Sequence, residues 1–350
     1  MSTVLLSPQL TPSMTRSTGV WSAAATRFRS DHVGMTSLVI VVLFLLLVLA
    51  SGVGLVAKDW QVERGVPDAP PTFVGPAAAT DSVAVRPPSG PNVDISAVDP
   101  LAPRYKEWAE AAKKYQITES VKAQTLPFGG DRLGRDVLAK AIKGAQVSIL
   151  VGVSSALLAT IIGTLLGAIA GFFGGKAGDL LEWVYNVFTA VPGILLIFAF
   201  AAVFGRGIGS VVLILGLAGW TGIYRLVRAE FMKHAVRDYV RSAEAIGAST
   251  GSRMFRHILP NVSHVVLVQL SIHVVGFIKS EVILSYLGVG VGVDQVSWGT
   301  MLSEAQSELI LGHWWQLAAA TLFMAVFVTA FSLMTDALRD ALDPKLRGLE

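Results

Sequence analysis

Residues 238–260 read DYVRSAEAIGASTGSRMFRHILP, a polar and basic stretch in a chain that is otherwise strongly apolar. Asp238 is an N-cap residue type, so a helix is expected from Tyr239 to about Ile246. Gly247 suits a left-handed helix stop. Ser249 or Thr250 can cap a second helix that ends near Pro260. The expectation is two short helices set at an angle. Ala243, Ala245 and Ala248 are small enough to let another surface approach, and Arg253 and Arg256 reach for acidic groups. The plainer reading is a solvated basic loop held by lipid headgroups.

What flanks this stretch fixes the class. Of 350 residues, 53% are hydrophobic and 15% charged, against about a quarter charged in an ordinary soluble domain. No charge occurs in Val33–Ala57, Gly144–Gly175 or Trp183–Gly205. Each run can cross a hydrocarbon core about 30 Å thick. Six spans are expected, at roughly 33–57, 146–173, 182–204, 208–227, 260–287 and 313–337. The fold class is therefore an all-α polytopic membrane protein with six transmembrane helices. The first run is longer than a signal-peptide core and lacks a cleavage site, so it is read as an uncleaved span.

Short-loop Lys and Arg set the orientation. The 225–257 loop carries Arg225, Arg228, Lys233, Arg237, Arg241, Arg253 and Arg256. Arg16, Arg27 and Arg29 precede the first span, and Arg339, Lys345 and Arg347 follow the last. The short loops 205–207 and 288–312 together hold only Arg206. Both termini and the 225–257 loop are thus expected in the cytoplasm, and 58–143 outside. The long external segment does not break the rule, because long loops translocate largely regardless of charge. The domain reading is a cytoplasmic segment 1–32, a first span 33–57, an extracytoplasmic segment 58–143, a five-helix core 144–338 containing the cytoplasmic loop 229–260, and a cytoplasmic tail 339–350. The net charge of +3 is read through topology and not as a nucleic-acid signal.

Within 58–143, residues 65–91 are rich in Pro, Ala and Gly, and 102–121 look like a short amphipathic helix. Residues 126–148, LPFGGDRLGRDVLAKAIKGAQVS, read as an interfacial helix with Asp131 as its N-cap. Gly163, Gly167 and Gly171 lie four apart in the second span, a spacing that lets helices approach closely, within the chain or to a second subunit.

Catalytic signatures are missing. The chain has no cysteine, which excludes disulfides and thiol chemistry. It has no HExxH, no metal-ligand spacing and no G-x-S-x-G elbow. AGFFGGKA at 170–177 departs from a phosphate loop at Ala170 and Ala177. The chain is not expected to be an enzyme, or to bind ATP or a metal itself.

The 238–260 stretch resembles the cytoplasmic signature of inner-membrane permeases of binding-protein-dependent ABC importers: Glu-Ala-Ala, three residues, Gly, nine residues, Ile-x-Leu-Pro. Ala243, Gly247, Leu259 and Pro260 match it, while Arg241, Ser242 and His257 replace the glutamate, first alanine and isoleucine. RHILPN at 256–261 is similar to the dipeptide, oligopeptide and nickel permeases of the DppC/OppC type. Residues 129–148, SYLGVGVGVDQVSWGTML at 285–302 and TDALRDALDPKLRG at 335–348 resemble three further segments of that subfamily.

The resemblance implies a type I ABC importer permease fold. It implies a second permease of the DppB/OppB type, one or two ATPases of the DppD/DppF type that hold ATP and Mg, an extracytoplasmic substrate-binding protein, and a place in the cytoplasmic (inner) membrane. It implies ATPase coupling through Asp238, Tyr239, Arg241, Ala243, Gly247, Ala248, Arg256 and Pro260. Relatives carry dipeptides, oligopeptides, nickel chelates, opines or haem. The competing class is a secondary transporter, which would use membrane-buried ionisable groups. His273, Lys279 and Glu281 in the fifth span fit it, and they are equally the candidates for a translocation pathway. Lys279 and Glu281 have a plainer reading as snorkelling residues near the span's outer end.

Overall fold

The computed structural model describes residues 20–76, 99–113 and 122–342. Among them every regular element is a helix: α1 (Val20–Ser30), α2 (His32–Gly52), α3 (Tyr105–Lys113, after a 3₁₀ turn), α4 (Val137–Phe173), α5 (Gly175–Ala190), α6 (Gly193–Phe204), α7 (Ile208–Ala235), α8 (Asp238–Ala245), α9 (Thr250–Ser252), a π-helical turn Arg253–Ile258, α10 (Leu259–Tyr286), α11 (Trp298–Ile310) and α12 (Trp315–Leu342). Five helices are long and apolar enough to cross a membrane: α2, α4, α7, the continuous run from α9 through α10, and α12. The segments 1–19, 77–98, 114–121 and 343–350 lie outside the described residues, and so do parts of the sequence readings at 1–32, 65–91, 102–121, 335–348 and 339–350.

The third expected span is not one straight helix. Residues 182–204 fall on α5 and α6, which meet at a 91° bend, and this pair supplies the sixth crossing when taken as one broken span. The break falls at Val191–Pro192. Proline has no N–H to donate and disfavours a helical residue before it, so the ladder stops there and restarts at Gly193. The first half of the pair is pinned to α7. Glu182 pairs with Arg228 at 2.8 Å, and the ring of Tyr185 stacks on Tyr224 with centroids 5.3 Å apart.

Contacts divide the chain into two compact units. One holds residues up to 47, 148–292 and 324 onward; the other holds 48–147 and 293–323. In the first, the glycine ladder of α4 lies against α7. A methyl on Gly163 would sit 2.6 Å from the Trp220 carbonyl oxygen, and one on Gly167 would sit 2.7 Å from that of Tyr224. The ladder therefore serves packing inside the chain.

The second unit is built on a buried ion cluster. Asp131 and Lys140 are 0% and 1% exposed, and the Lys140 ammonium donates to Asp131 Oδ2 at 2.7 Å. It also donates to Glu304, and to Gln316 Oε1 at 3.2 Å. Arg135 closes on the same Asp131 oxygen at 2.6 Å. Burial works to raise the Asp131 carboxyl. The Lys140 charge and the hydrogen bonds from Arg135 and Lys140 outweigh it, holding the group below the ordinary carboxylate range. Asp131 is thus an ionic anchor and not the expected N-cap. The cap is Asp136, whose Oδ1 accepts from the Leu138 amide at 2.8 Å. From there α4 runs unbroken for 37 residues, so the expected interfacial helix and second span are one element.

Glu308, 2% exposed, sits beside this cluster. Its Oε1 accepts from the Arg132 amide at 3.3 Å, while Oε2 has no hydrogen-bond partner among the described residues. Burial pushes the carboxyl from 4.5 up to about 7, with Asp131 and Asp68 adding to the rise and Lys140 opposing it. A carboxyl raised on folding leaves stability intact below its unfolded value and erodes it as pH climbs through the folded one. Between pH 4.5 and about 7 the thermal midpoint of the detergent-solubilised chain should therefore fall. In Glu308→Gln that slope should flatten. An unchanged slope in the variant would remove Glu308 as its source.

Candidate functional site

The 238–260 segment folds as two parts meeting at a glycine. α8 begins at Asp238 itself; Arg237 holds the N-cap position and makes no side-chain cap bond. Asp238 is thus a first-turn acid that complements the helix dipole, not the cap expected from its residue type. α8 ends in a Schellman turn: the Ala248 amide donates to Ala243 O at 2.9 Å and the Gly247 amide to Glu244 O at 2.9 Å. Gly247 sits at φ +87°, which a side chain rarely adopts. Ser249 then caps α9, its Oγ accepting from the Ser252 amide at 3.3 Å.

One face of α8 is buried, with Val240 and Ala243 inside. Val240 packs into a core of Ala168, Ile223, Val227, Phe231, Met254, Ile258 and Val262, drawn from α4, α7, the π-helical turn and α10. Ala243, 4% exposed, is buried within the chain, where its size had suggested an open face. Arg241, Ala245 and Gly247 are exposed, Ala248 is half-buried, and Tyr239 is exposed with its hydroxyl 2.9 Å from His234 Nδ1. Ile246 is 87% exposed at the turn's tip. It was not among the residues singled out from sequence. Its signal was an isolated branched apolar residue directly before a helix-stop glycine.

The angle between the two parts is braced. Arg253 pairs with Glu244 at 2.6 Å, and its guanidinium lies 5.4 Å from the centre of the Phe172 ring at the end of α4. The π-helical turn follows from Pro260, which has no N–H and whose ring crowds the carbonyl four residues back. The Leu259 amide bonds to Met254 O, one residue further back than in an α-helix. Arg256 and Pro260 are both exposed. The structure therefore places Asp238, Tyr239 and Arg241 exposed along α8, Gly247 and Ala248 at its C-terminal turn, and Arg256 and Pro260 on the π-helical return.

The three ionisable residues of α10 separate. Glu281 is fully buried, with its Oε1 accepting from Ser285 Oγ at 2.6 Å. Ser285 Oγ in turn accepts from the Val291 amide at 3.3 Å. Glu281 thus ties the helix end to the following loop and does not snorkel. His273 is half-buried, its ring 5.3 Å from Phe277. Lys279 is exposed, in a stripe with Ile272, Gly276, Ile283 and Tyr286. Their spacing of three and four residues puts all five on one helix face.

Residues 163–348 match the family model described as a binding-protein-dependent transport system inner membrane component. The dipeptide transport system permease protein DppC of Bacillus subtilis is 34% identical over 237 residues, covering 66% of this chain and 74% of that protein. The di/tripeptide permease DppC of Pseudomonas aeruginosa is 38% identical over 221 residues, covering 63% and 73%. The glutathione permease GsiD of Escherichia coli is 37% identical over 222 residues, with the same two shares. A chain of the methionine ABC transporter MetNI superposes on 58% of this chain with a TM-score of 0.49 at 13% identity. With the family model covering more than half of its length, the chain belongs to the inner-membrane permease components of binding-protein-dependent ABC importers, which are multi-pass transport subunits and not enzymes.

Proposed function

We propose that the chain forms half of the translocation pathway of a short-peptide importer and that α8 with Gly247 is its coupling helix. The observation that carries this reading is the protruding turn: a helix stopped by a Schellman glycine, braced by Arg253–Glu244, with a bare isoleucine at its tip. A braced turn ending in an exposed apolar knob fits a cleft on another protein better than it fits water. Its occupant is an ATPase subunit of the DppD/DppF type, which binds the ATP and Mg; this chain holds no cofactor of its own. A DppB/OppB-type permease completes the pathway, and an extracytoplasmic binding protein delivers the solute.

Both termini and 225–257 then face the cytoplasm of a cell whose inner membrane holds the chain. In support, the long segment 58–143 and residues 293–312 of the 288–312 loop fall in one compact unit that excludes the 225–257 loop, while 205–207 and 288–292 fall in the other. Short peptides are the solute class because the named relatives carry dipeptides, tripeptides or glutathione.

The exposed stripe of α10 faces the pathway. A lysine in a spanning helix is costly against lipid and is found facing water-filled cavities or an opposite charge. Lys279 on that stripe offers an ammonium to a peptide carboxylate, and half-buried His273 and buried Glu281 lie on the same helix. Lys279→Met keeps the length and removes the charge. In the reconstituted transporter it should lower dipeptide uptake by about tenfold, the worth of about 1.4 kcal/mol, with ATPase assembly intact. Uptake at the parental rate would place the stripe off the pathway.

A further inference from the structure

We propose that Phe73, Phe128 and Trp314 form an aromatic foot that seats residues 58–76 in the headgroup layer of the membrane at the start of α12. Nothing in the transport reading uses this segment, yet it is well fixed. The Gly65 amide donates to Gly134 O at 2.9 Å, Thr72 to Leu126 O at 2.8 Å, and Gly130 to Ala69 O at 2.7 Å.

The turn it pairs with is tied to the first residue of a spanning helix. Trp315 Nε1 donates to Gly130 O at 2.6 Å. Gly129, at φ +90°, lies so close that a methyl there would sit 2.5 Å from the Trp315 indole. On this base three rings meet at the surface. Phe73 lies 6.5 Å from Phe128 and 6.4 Å from Trp314, centroid to centroid. The three are 68%, 49% and 43% exposed. Val74, next to Phe73, and Ile310 and Leu311, four and three residues before Trp314, are 56%, 84% and 69% exposed.

An exposed apolar cluster of this kind marks a contact surface. Its place at the start of a spanning helix argues for lipid as the occupant. Trp314 directly precedes α12, whose 28 residues exceed the roughly 20 needed to cross the hydrocarbon core. A tryptophan at the start of a span sits at the membrane–water interface, where its ring buries and its polar edge stays wet. Phe73 packs on that ring, and Phe128 packs on Phe73, so the three rings form one contiguous patch beside the start of the span. The segment thereby gains a membrane contact without a helix of its own, which lies flat where the usual anchor is an amphipathic helix.

The absence of cysteine makes the test direct. Phe73→Cys in the full chain, labelled with an environment-sensitive NBD dye, is reconstituted in phosphatidylethanolamine–phosphatidylglycerol vesicles. Phe128→Cys serves as a second site in case the first label perturbs its neighbours. Lipids spin-labelled near the headgroup should quench both dyes roughly threefold more than iodide in the buffer does. Quenching by iodide to the level of free dye, with no lipid effect, would overturn the proposal. So would iodide quenching that disappears when the extracytoplasmic binding protein is added to the assembled transporter, since the patch would then be a protein dock.

Discussion

A Gly247→Val chain should insert normally, retain its spans and lose coupled uptake. No atom lies within 4 Å of a methyl built on Gly247, so nothing is crowded; the whole effect comes from φ +87°. A left-handed residue with a side chain costs about 1–3 kcal/mol, which on release shifts the α8 orientation about 5–150-fold away from its docking geometry. A β-branched valine belongs at the upper end of that range. Gly247→Asn is the internal control, since asparagine tolerates the left-handed region best after glycine. The measurement is dipeptide uptake together with recovery of the ATPases on the purified permease. The expected order is glycine, asparagine, then valine, with valine lowest in both. Equal uptake in all three would remove the helix stop from the coupling mechanism.

Gly167→Leu should stop the protein accumulating at all. A methyl at this position would already lie 2.7 Å from Tyr224 O, 3.0 Å from Val227 Cβ and 3.1 Å from the Arg228 amide nitrogen. Two of these three are backbone atoms of α7 and cannot rotate aside. Forcing a larger side chain into a packed contact costs about 1–3 kcal/mol when side chains can yield, and more where only backbone faces it. Separation of α4 from α7 would also strip Ala168 from the core that holds Ile223, Val227 and Phe231 of α7 and Val240 of α8. The expected result is a loss of membrane-extracted protein of about tenfold or more, as for a destabilisation above 1.4 kcal/mol. Gly193→Leu, where nothing lies within 4 Å, should accumulate normally. Normal yield and thermal stability for Gly167→Leu would contradict the packing described for α4 and α7.

The two glycines mark what a sequence can and cannot convey. Gly247 was legible because a helix stop is local: the φ it needs and the bonds it makes lie within five residues. The ladder at 163, 167 and 171 was legible as a close approach, but its partner was not, because spacing says how near a helix comes and not which helix. Asp131 and Asp136 are the same residue type five positions apart, and either can cap. What separates them is Lys140, Glu304 and Gln316, two of which come from more than 160 residues away. Ala243 was read as facing a partner because α8 was considered alone. Met254 and Ile258, beyond the glycine, share a core with Val240, three residues earlier on α8. The bend at Val191–Pro192 was written in the chain, yet the uncharged run across it masked the break. Glu281 and Lys279 looked alike in sequence, and only burial tells a structural carboxylate from an exposed ammonium. Five of the six expected spans and the helix–glycine–helix order of 238–260 were accessible for the opposite reason: hydrophobic length and helix punctuation are properties of contiguous residues.

The central claim is that the tip of this turn enters a cleft on an ATPase. Ile246→Cys in the cysteine-free chain, derivatised with a maleimide-benzophenone and irradiated in the assembled transporter, reports what touches that tip. The account predicts one dominant adduct joining the chain to an ATPase subunit, strongly reduced when Gly247→Val is added. Irradiation that yields only adducts to lipid, or labelling of Cys at this position by an impermeant reagent from outside the cell, would contradict it.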